Sequence, residues 1–235
     1  MNLGFSFVRA LAILEETVGK DGTLLAPCTH IVGRADDYLR QGGIFDVRRS
    51  VSREGLISEV LRQRKDAFRS LHPTNSVVAI GRYARELTQD HAKSIYPGGQ
   101  FSPYYKIVEY DGLIVGLGVG TENLSFVHCV EDVWHERGRE RFPAETRTRE
   151  VFDAKVIDWD GREMVVRTRA AHRRIRWRNV PKYMARYVPE EICRDFTANG
   201  SRYFRAASKA LYLKMDELAR KGITIYNKPL ARLLG

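Results

Sequence analysis

The chain of 235 residues is 43% hydrophobic and 10% aromatic, the make-up of an ordinary globular protein with room for one sizeable core. No apolar run approaches the ~20 residues needed to cross a bilayer, and the first residues lack the basic region and cleavage site of a signal peptide, so a cytoplasmic protein is expected. A net charge of +10 points to an anionic partner: nucleic acid, anionic lipid or a phosphorylated small molecule. Cys28, Cys129 and Cys193 are far apart and form no CxxC pair, which fits a reduced compartment and neither a disulfide nor a zinc framework.

In chain order, Val8, Leu11, Leu14 and Val18 repeat at helical spacing, and Gly19 with Asp21-Gly22 stops that helix. Thr23–Pro27 reads as a short buried strand, followed by a glycine-containing loop through Gly42-Gly43. Ser52 is the expected N-cap of a helix carrying Leu56, Val60 and Leu61. Ser76–Ile80 is the next buried strand, with a helix from Arg82 to Asp90 behind it. After the turn at Pro97-Gly98-Gly99, Ser102-Pro103 supplies a cap and first-turn proline for Tyr104 to Tyr110. Asp111-Gly112 then turns the chain into Leu113–Val119, an apolar strand expected to be covered on both faces. This alternation predicts a layered α/β domain, helix–sheet–helix with a mixed sheet.

Past the charged segment 136–150 the texture changes. Phe152–Asp158 and Met164–Arg169 flank Asp160-Gly161 as a β-hairpin insertion at about 151–170 in a single domain spanning 1–235. The stretch His172–Arg186 carries six Lys or Arg and no acid. It reads as a basic edge strand and a solvated loop, with an RNA- or nucleotide-binding role as the alternative. Helices are expected at Pro189–Thr197 and Tyr203–Arg220, ending at Gly222. A closing strand at Ile223–Tyr226 and a last helix at Pro229–Leu234 complete the chain.

The chemistry concentrates between Arg69 and Glu131. His128 follows a glycine-rich strand, near the carboxyl end where open α/β sheets place ligands, and Glu131 sits three residues on, on the same helix face. A carboxylate there can orient the imidazole for general-base work, and a purely structural hydrogen bond is the competing reading. Cys129 points to another face and reads as packing. Gly116, Gly118 and Gly120 alternate, which suits tight packing or the approach of a pantetheine-like arm, without the GxGxxG spacing of a dinucleotide site. His72-Pro-Thr74-Asn75-Ser76 is a polar loop entering a strand, with a capped turn as its bland reading. His91 can neutralise a helix end, and His30, Asp36 and Asp37 fit no standard metal spacing.

Gly22-Thr-Leu-Leu-Ala-Pro27, Phe45-Asp46, Gly55-Leu-Ile57, Arg69-Ser-Leu-His-Pro-Thr-Asn-Ser-Val-Val-Ala-Ile-Gly81, Glu86-Leu-Thr-Gln-Asp-His91, Ser102-Pro103, Leu117-Gly-Val-Gly120 and the histidine helix ending at Glu131 occur in this order. Together they resemble the aminoglycoside 3-N-acetyltransferase family. The resemblance implies an α/β acyltransferase that uses acetyl-CoA to acetylate a sugar amine, without a covalent acyl-enzyme. It implies His128 as general base with Glu131 assisting. Asp90 and His72 fall on the substrate side, and Thr74, Ser76 and Val77 along the pantetheine arm. The His72 loop and the His128 helix are then expected as two walls of one cleft. Relatives begin with a strand and a Val-His-Ser-Ser-Leu-like loop. Here the N-terminus is expected to be shortened, with Asn2–Ser6 as its remnant. Asn75 stands where relatives often carry His or Cys.

The acceptor expectation rests on charge. Aminoglycosides are polycations and a +10 protein attracts them poorly, so an amino sugar of a surface-polysaccharide or natural-product pathway is placed first. Aminoglycoside 3-N-acetylation with antibiotic resistance is placed second. An inactive remnant or a basic nucleic-acid-binding protein stands as the reading from another class. The expected partners are the acceptor sugar and a homodimer, with neither a membrane span nor nucleic acid.

Overall fold

The computed structural model describes residues 7–138, 142, 148–171 and 179–226. The Asn2–Ser6 remnant, the first part of the basic stretch (172–178) and the expected helix at Pro229–Leu234 lie outside the described residues. The chain divides into two compact units, Asn2–Lys106 with Arg147–Ala171, and Ile107–Thr146 with His172–Gly235.

The first unit opens with α1 (Phe7–Val18), β1 (Thr23–Pro27), α2 (Ala35–Arg40), β2 (Ile44–Asp46), α3 (Leu56–Arg62), β3 (Phe68–Arg69), β4 (Val77–Gly81) and α4 (Ala84–Thr88). One antiparallel sheet runs β1-β4-β3. Its register pairs Leu24 with Ile80 and Ala26 with Val78, so these four residues share a face. Leu11 of α1 and Leu61 of α3 close that face into a core that includes Cys28. The strand expected to be buried at 23–27 is an edge strand and only half covered.

The chain leaves this unit through α5 (Pro103–Glu109), whose first-turn N–H of Tyr105 donates to Ser102 Oγ at 3.2 Å, the expected cap. It continues into β5 (Leu113–Leu117) and α6 (His128–Arg137) of the second unit. It then returns to the first unit as the hairpin β6 (Phe152–Ile157) and β7 (Glu163–Thr168), turning at Asp160-Gly161 as the sequence predicts. The hairpin completes a mixed sheet of order β2-β6-β7, with β2 parallel to β6. Phe45, Val47, Val156 and Val166 are buried together there. The stretch expected to be loop through Gly42-Gly43 thus holds α2 and β2. Both are too short to show a period, and β2 exists because a hairpin more than a hundred residues away pairs with it.

The second unit also contains α7 (Val180–Tyr187), β8 (Cys193–Ala198), β9 (Ser201–Ala207) and α8 (Ser208–Arg220), with an antiparallel sheet of order β5-β9-β8. Several expectations are corrected. Residues 193–198 and 201–207 are strands, not helix. Asn199 and Gly200 both have positive φ (49° and 73°) and form the tight hairpin turn between them. Part of the basic stretch is helical: Asn179 caps α7 by accepting from the Lys182 N–H at 3.1 Å. Ser52 is not an N-cap. Gly55 precedes α3, and Ser52 instead donates its N–H to Glu59 Oε2 at 2.8 Å. β5 is an edge strand with Leu113 65% exposed, not one covered on both faces. Residues 223–226 follow α8 without joining a sheet. The overall class remains α/β, with three small sheets among the described residues in place of one. Among the described residues no helix is long and apolar enough to cross a membrane.

Candidate active site

α6 begins at His128, directly after a 3₁₀ turn at Ser125–Val127. It ends at Gly138, whose φ of 60° and N–H bond to the Trp134 carbonyl form a left-handed cap. Trp134 Nε1 donates to Asp216 Oδ1 at 2.6 Å and lies under the Arg220 guanidinium, so α6 is pinned to α8. On this fixed helix His128 Nδ1 is 2.9 Å from Glu131 Oε1. The His128 side chain is 22% exposed and that of Glu131 2%. A carboxylate this buried requires donors, and a third residue supplies one: Tyr226 donates its hydroxyl to Glu131 Oε2 at 2.7 Å and lies 3.2 Å from His128 Nδ1.

Tyr226 is a residue of this candidate site that sequence reasoning missed. It is 98 positions from His128, in a stretch read as a closing strand. A Schellman turn brings it back. Gly222 has φ of 73°, its N–H donates to the Ala219 carbonyl, and that of Ile223 donates to the Leu218 carbonyl. The Ile225 carbonyl then accepts from the Asn179 N–H at 3.1 Å, and the Tyr226 N–H donates to Thr224 Oγ1 at 3.2 Å. The glycine at the helix end is the local signal; the landing point is set by tertiary contacts.

Cys129, next to His128, is buried, and burial together with Asp132 raises the pKa of its thiol well above the usual range, which disfavours the reactive thiolate. Of the alternating glycines, a side chain at Gly116 would run into the Phe204 ring of the paired strand, and one at Gly120 into the Arg202 guanidinium. Both serve packing.

The remaining expected site residues belong to the first unit. His72 is fully buried. Its Nδ1 accepts the Asn75 N–H at 3.2 Å and its Nε2 lies 3.2 Å from Thr168 Oγ1, so its ring organises the loop and offers no surface to a substrate. Thr74, Ser76 and Val77 are buried as well. Ser76 Oγ donates to the Cys28 carbonyl at 2.6 Å and accepts from Arg69 Nε at 3.0 Å. Asp90 is partly exposed and holds two ammonium groups, Lys93 at 2.8 Å and Lys106 at 3.3 Å, which keep its carboxyl below the usual range. His30 stacks on Phe45 and lies 2.9 Å from the Tyr38 hydroxyl, while Asp36 pairs with Arg34 and Arg40.

His91 is stacked on His72 and fully buried, with Nε2 donating to the Pro97 carbonyl at 2.9 Å and Nδ1 accepting from Ser70 Oγ at 2.8 Å. Burial, helped by Lys106, pushes its pKa from 6.5 down to about 3 despite the Pro97 bond. The neutral ring is required in the fold, and the unfolded chain takes up the proton first. The stabilisation is therefore complete above pH 6.5 and is lost as the pH falls from 6.5 toward 3. Between pH 6.5 and 4.5 this one residue should remove about 2 kcal/mol. Urea midpoints measured across that range should fall steeply in the native chain and less steeply in His91→Gln; equal slopes would contradict the assignment.

Residues 6–217 match the family model described as aminoglycoside 3-N-acetyltransferase. Aminoglycoside N(3)-acetyltransferase III of Pseudomonas aeruginosa is 35% identical over 96 residues, covering 40% of this chain and 35% of that protein. The type III enzyme of Serratia marcescens is 26% identical over 202 residues, covering 81% of this chain and 62% of that protein. The chain thus spans from about a third to three-fifths of the length of these curated relatives. A solved relative, AAC-IIIb in binary complex with coenzyme A, superposes with a TM-score of 0.71 at 20% identity, covering 95% of this chain and 86% of that one. The α/β fold is therefore that of the aminoglycoside acetyltransferases. On the match of its residues 6–217, the chain belongs to the aminoglycoside 3-N-acetyltransferase family.

Proposed function

We propose that the chain transfers acetyl from acetyl-CoA to the 3-amino group of an aminoglycoside, with His128 as general base and Glu131 as its orienting carboxylate. The observation that carries this is the His128–Glu131 pair at 2.9 Å, with the carboxylate buried and the imidazole partly exposed at the start of a fixed helix. A sugar ammonium must lose its proton before the nitrogen can attack a thioester. The ammonium first gives one proton to solvent, freeing the lone pair, and His128 accepts the second on Nε2 as that lone pair attacks the thioester carbon and the C–N bond forms. The C–S bond then breaks, the imidazolium returns its proton to the departing sulfur, and coenzyme A leaves as its thiol. Glu131 stabilises the imidazolium in between.

Acetyl-CoA is the acyl donor in this reading, supported by the relative that holds coenzyme A. For the acceptor, the relatives named as aminoglycoside enzymes favour an aminoglycoside over the surface-polysaccharide sugar that charge alone put first. Bulk charge is a poor guide here, because screening limits it to about 8 Å and local acids decide recognition. Asp90 is the amine-binding carboxylate that the family resemblance proposes, and an acceptor amine there would have to displace Lys93 or Lys106 from it. Thr74, Ser76 and Val77 are proposed for the coenzyme side. With their side chains buried, they would act through the main chain of their loop.

The test is a panel assay of coenzyme A thiol release with acetyl-CoA and two acceptor classes, aminoglycosides and nucleotide-linked amino sugars. Preference for the aminoglycosides in kcat/KM is expected; preference for the sugar nucleotides would overturn the acceptor assignment.

A further inference from the structure

Tyr226 lies beyond the residues matched by the family model, and nothing in the general-base scheme requires it. Its hydroxyl nevertheless touches both members of the pair, 2.7 Å from Glu131 Oε2 and 3.2 Å from His128 Nδ1. An ionised carboxylate donates nothing, so the hydrogens can be assigned by inventory. The tyrosine O–H must point to Oε2, and the proton between the ring and Oε1 must belong to Nδ1. Tyr226 then holds the second carboxylate oxygen still and presents its own oxygen, not its hydrogen, to Nδ1–H. The lone pair of the neutral ring falls on Nε2.

We infer that Tyr226 is a positioning residue that locks the Glu131 carboxylate, and through it the Nδ1–H tautomer of His128, so that Nε2 is the basic nitrogen. This rests on the general-base role of His128 proposed above, but the tautomer can be read without turnover. The residue is suited to the task. Its segment is tied at Ile225 to Asn179 and at Ile223 to Leu218, so the phenol is delivered by a fixed backbone. Without the phenol, Glu131 would keep His128 Nδ1 as a partner but lose the Tyr226 hydrogen bond to Oε2, which loosens the hold on its carboxylate plane.

Two measurements on the full chain test this. In Tyr226→Phe, the ¹⁵N chemical shifts of His128, assigned by comparison with His128→Gln, should move from the Nδ1–H tautomer toward a mixture. With acetyl-CoA and an aminoglycoside, kcat should fall on the order of ten- to a hundredfold while KM for both substrates stays within about twofold, because the phenol orients the base and does not touch substrate. A Tyr226→Phe protein with an unchanged tautomer overturns the proposal, whatever its rate. A tautomer that shifts in a chain with no acetyl transfer keeps the positioning role and sinks only the acetyltransferase reading. A parallel rise in KM would assign Tyr226 to substrate contact instead.

Discussion

His128→Ala should lower acetyl transfer on the order of a hundred- to ten-thousandfold and leave acetyl-CoA affinity unchanged. The imidazole is the group on α6 that is both partly exposed and backed by a buried carboxylate, so its removal takes away the proposed proton acceptor and little else. The expected signature is a fall in kcat with an unaltered dissociation constant for acetyl-CoA by calorimetry. Turnover within tenfold of the native rate would refute the assignment. Glu131→Gln should have a smaller effect, since the amide keeps a hydrogen bond to the ring but cannot stabilise the imidazolium.

The second large effect concerns Arg69. Its guanidinium is buried in the first unit and lies 4.8 Å over the Phe45 ring. It donates to Ser76 Oγ at 3.0 Å, to the Val47 carbonyl at 3.3 Å, and to the Ser50 and Cys28 carbonyls. Burial lowers its pKa to about 10, a measure of how far it is removed from water. The side chain ties the β1-β4-β3 sheet to the segment after β2, and its own carbonyl accepts from Trp159 Nε1 at 3.2 Å. Arg69→Met fills much of the volume but leaves the Val47 and Ser50 carbonyls without this donor, at roughly 1–3 kcal/mol each, while the Cys28 carbonyl keeps Ser76 Oγ; the loss is offset in part by the relief of burying a charge. A net loss of about 3–5 kcal/mol, or about 10 °C in Tm, is expected from thermal unfolding. A change under about 2 °C would mean that water or another side chain takes over these carbonyls.

Arg69 also shows where sequence reading stops. It opened the family-like run that identified the fold, yet nothing local marks an arginine in a strand as a buried hub, because the carbonyls it donates to lie 19 to 41 residues away. Elements with a strong local signal were legible: α1, β1, the capped start of α5 at Ser102-Pro103, and the hairpin at Asp160-Gly161. Elements that depend on distant pairing were not, as β2 shows. The β8–β9 hairpin was missed despite its Asn199-Gly200 turn, because the charged residues before it mimic a helix start. The expected coverage of β5 failed because an apolar run does not reveal which sheet position it takes.

The site divides in the same way. His128 and Glu131 are three residues apart on one helix, so their pairing follows from helical geometry alone. Tyr226 meets them only through the turn at Gly222 and the folding back of the chain, which no spacing rule anticipates. In the His72 loop, the polar residues read locally as a capped turn and only the family resemblance implied ligand contact; the side chains satisfy the fold's own buried groups.

The central claim is acetyl transfer to the 3-amino group of an aminoglycoside. The most direct measurement is the product itself: incubation with acetyl-CoA and an aminoglycoside, thiol release followed continuously, and the acetylated nitrogen located by NMR. One acetyl group on the 3-amino nitrogen, with one thiol released per acetyl, is the predicted result. Acetylation at a different nitrogen, or no thiol release above background at millimolar acetyl-CoA, would contradict it.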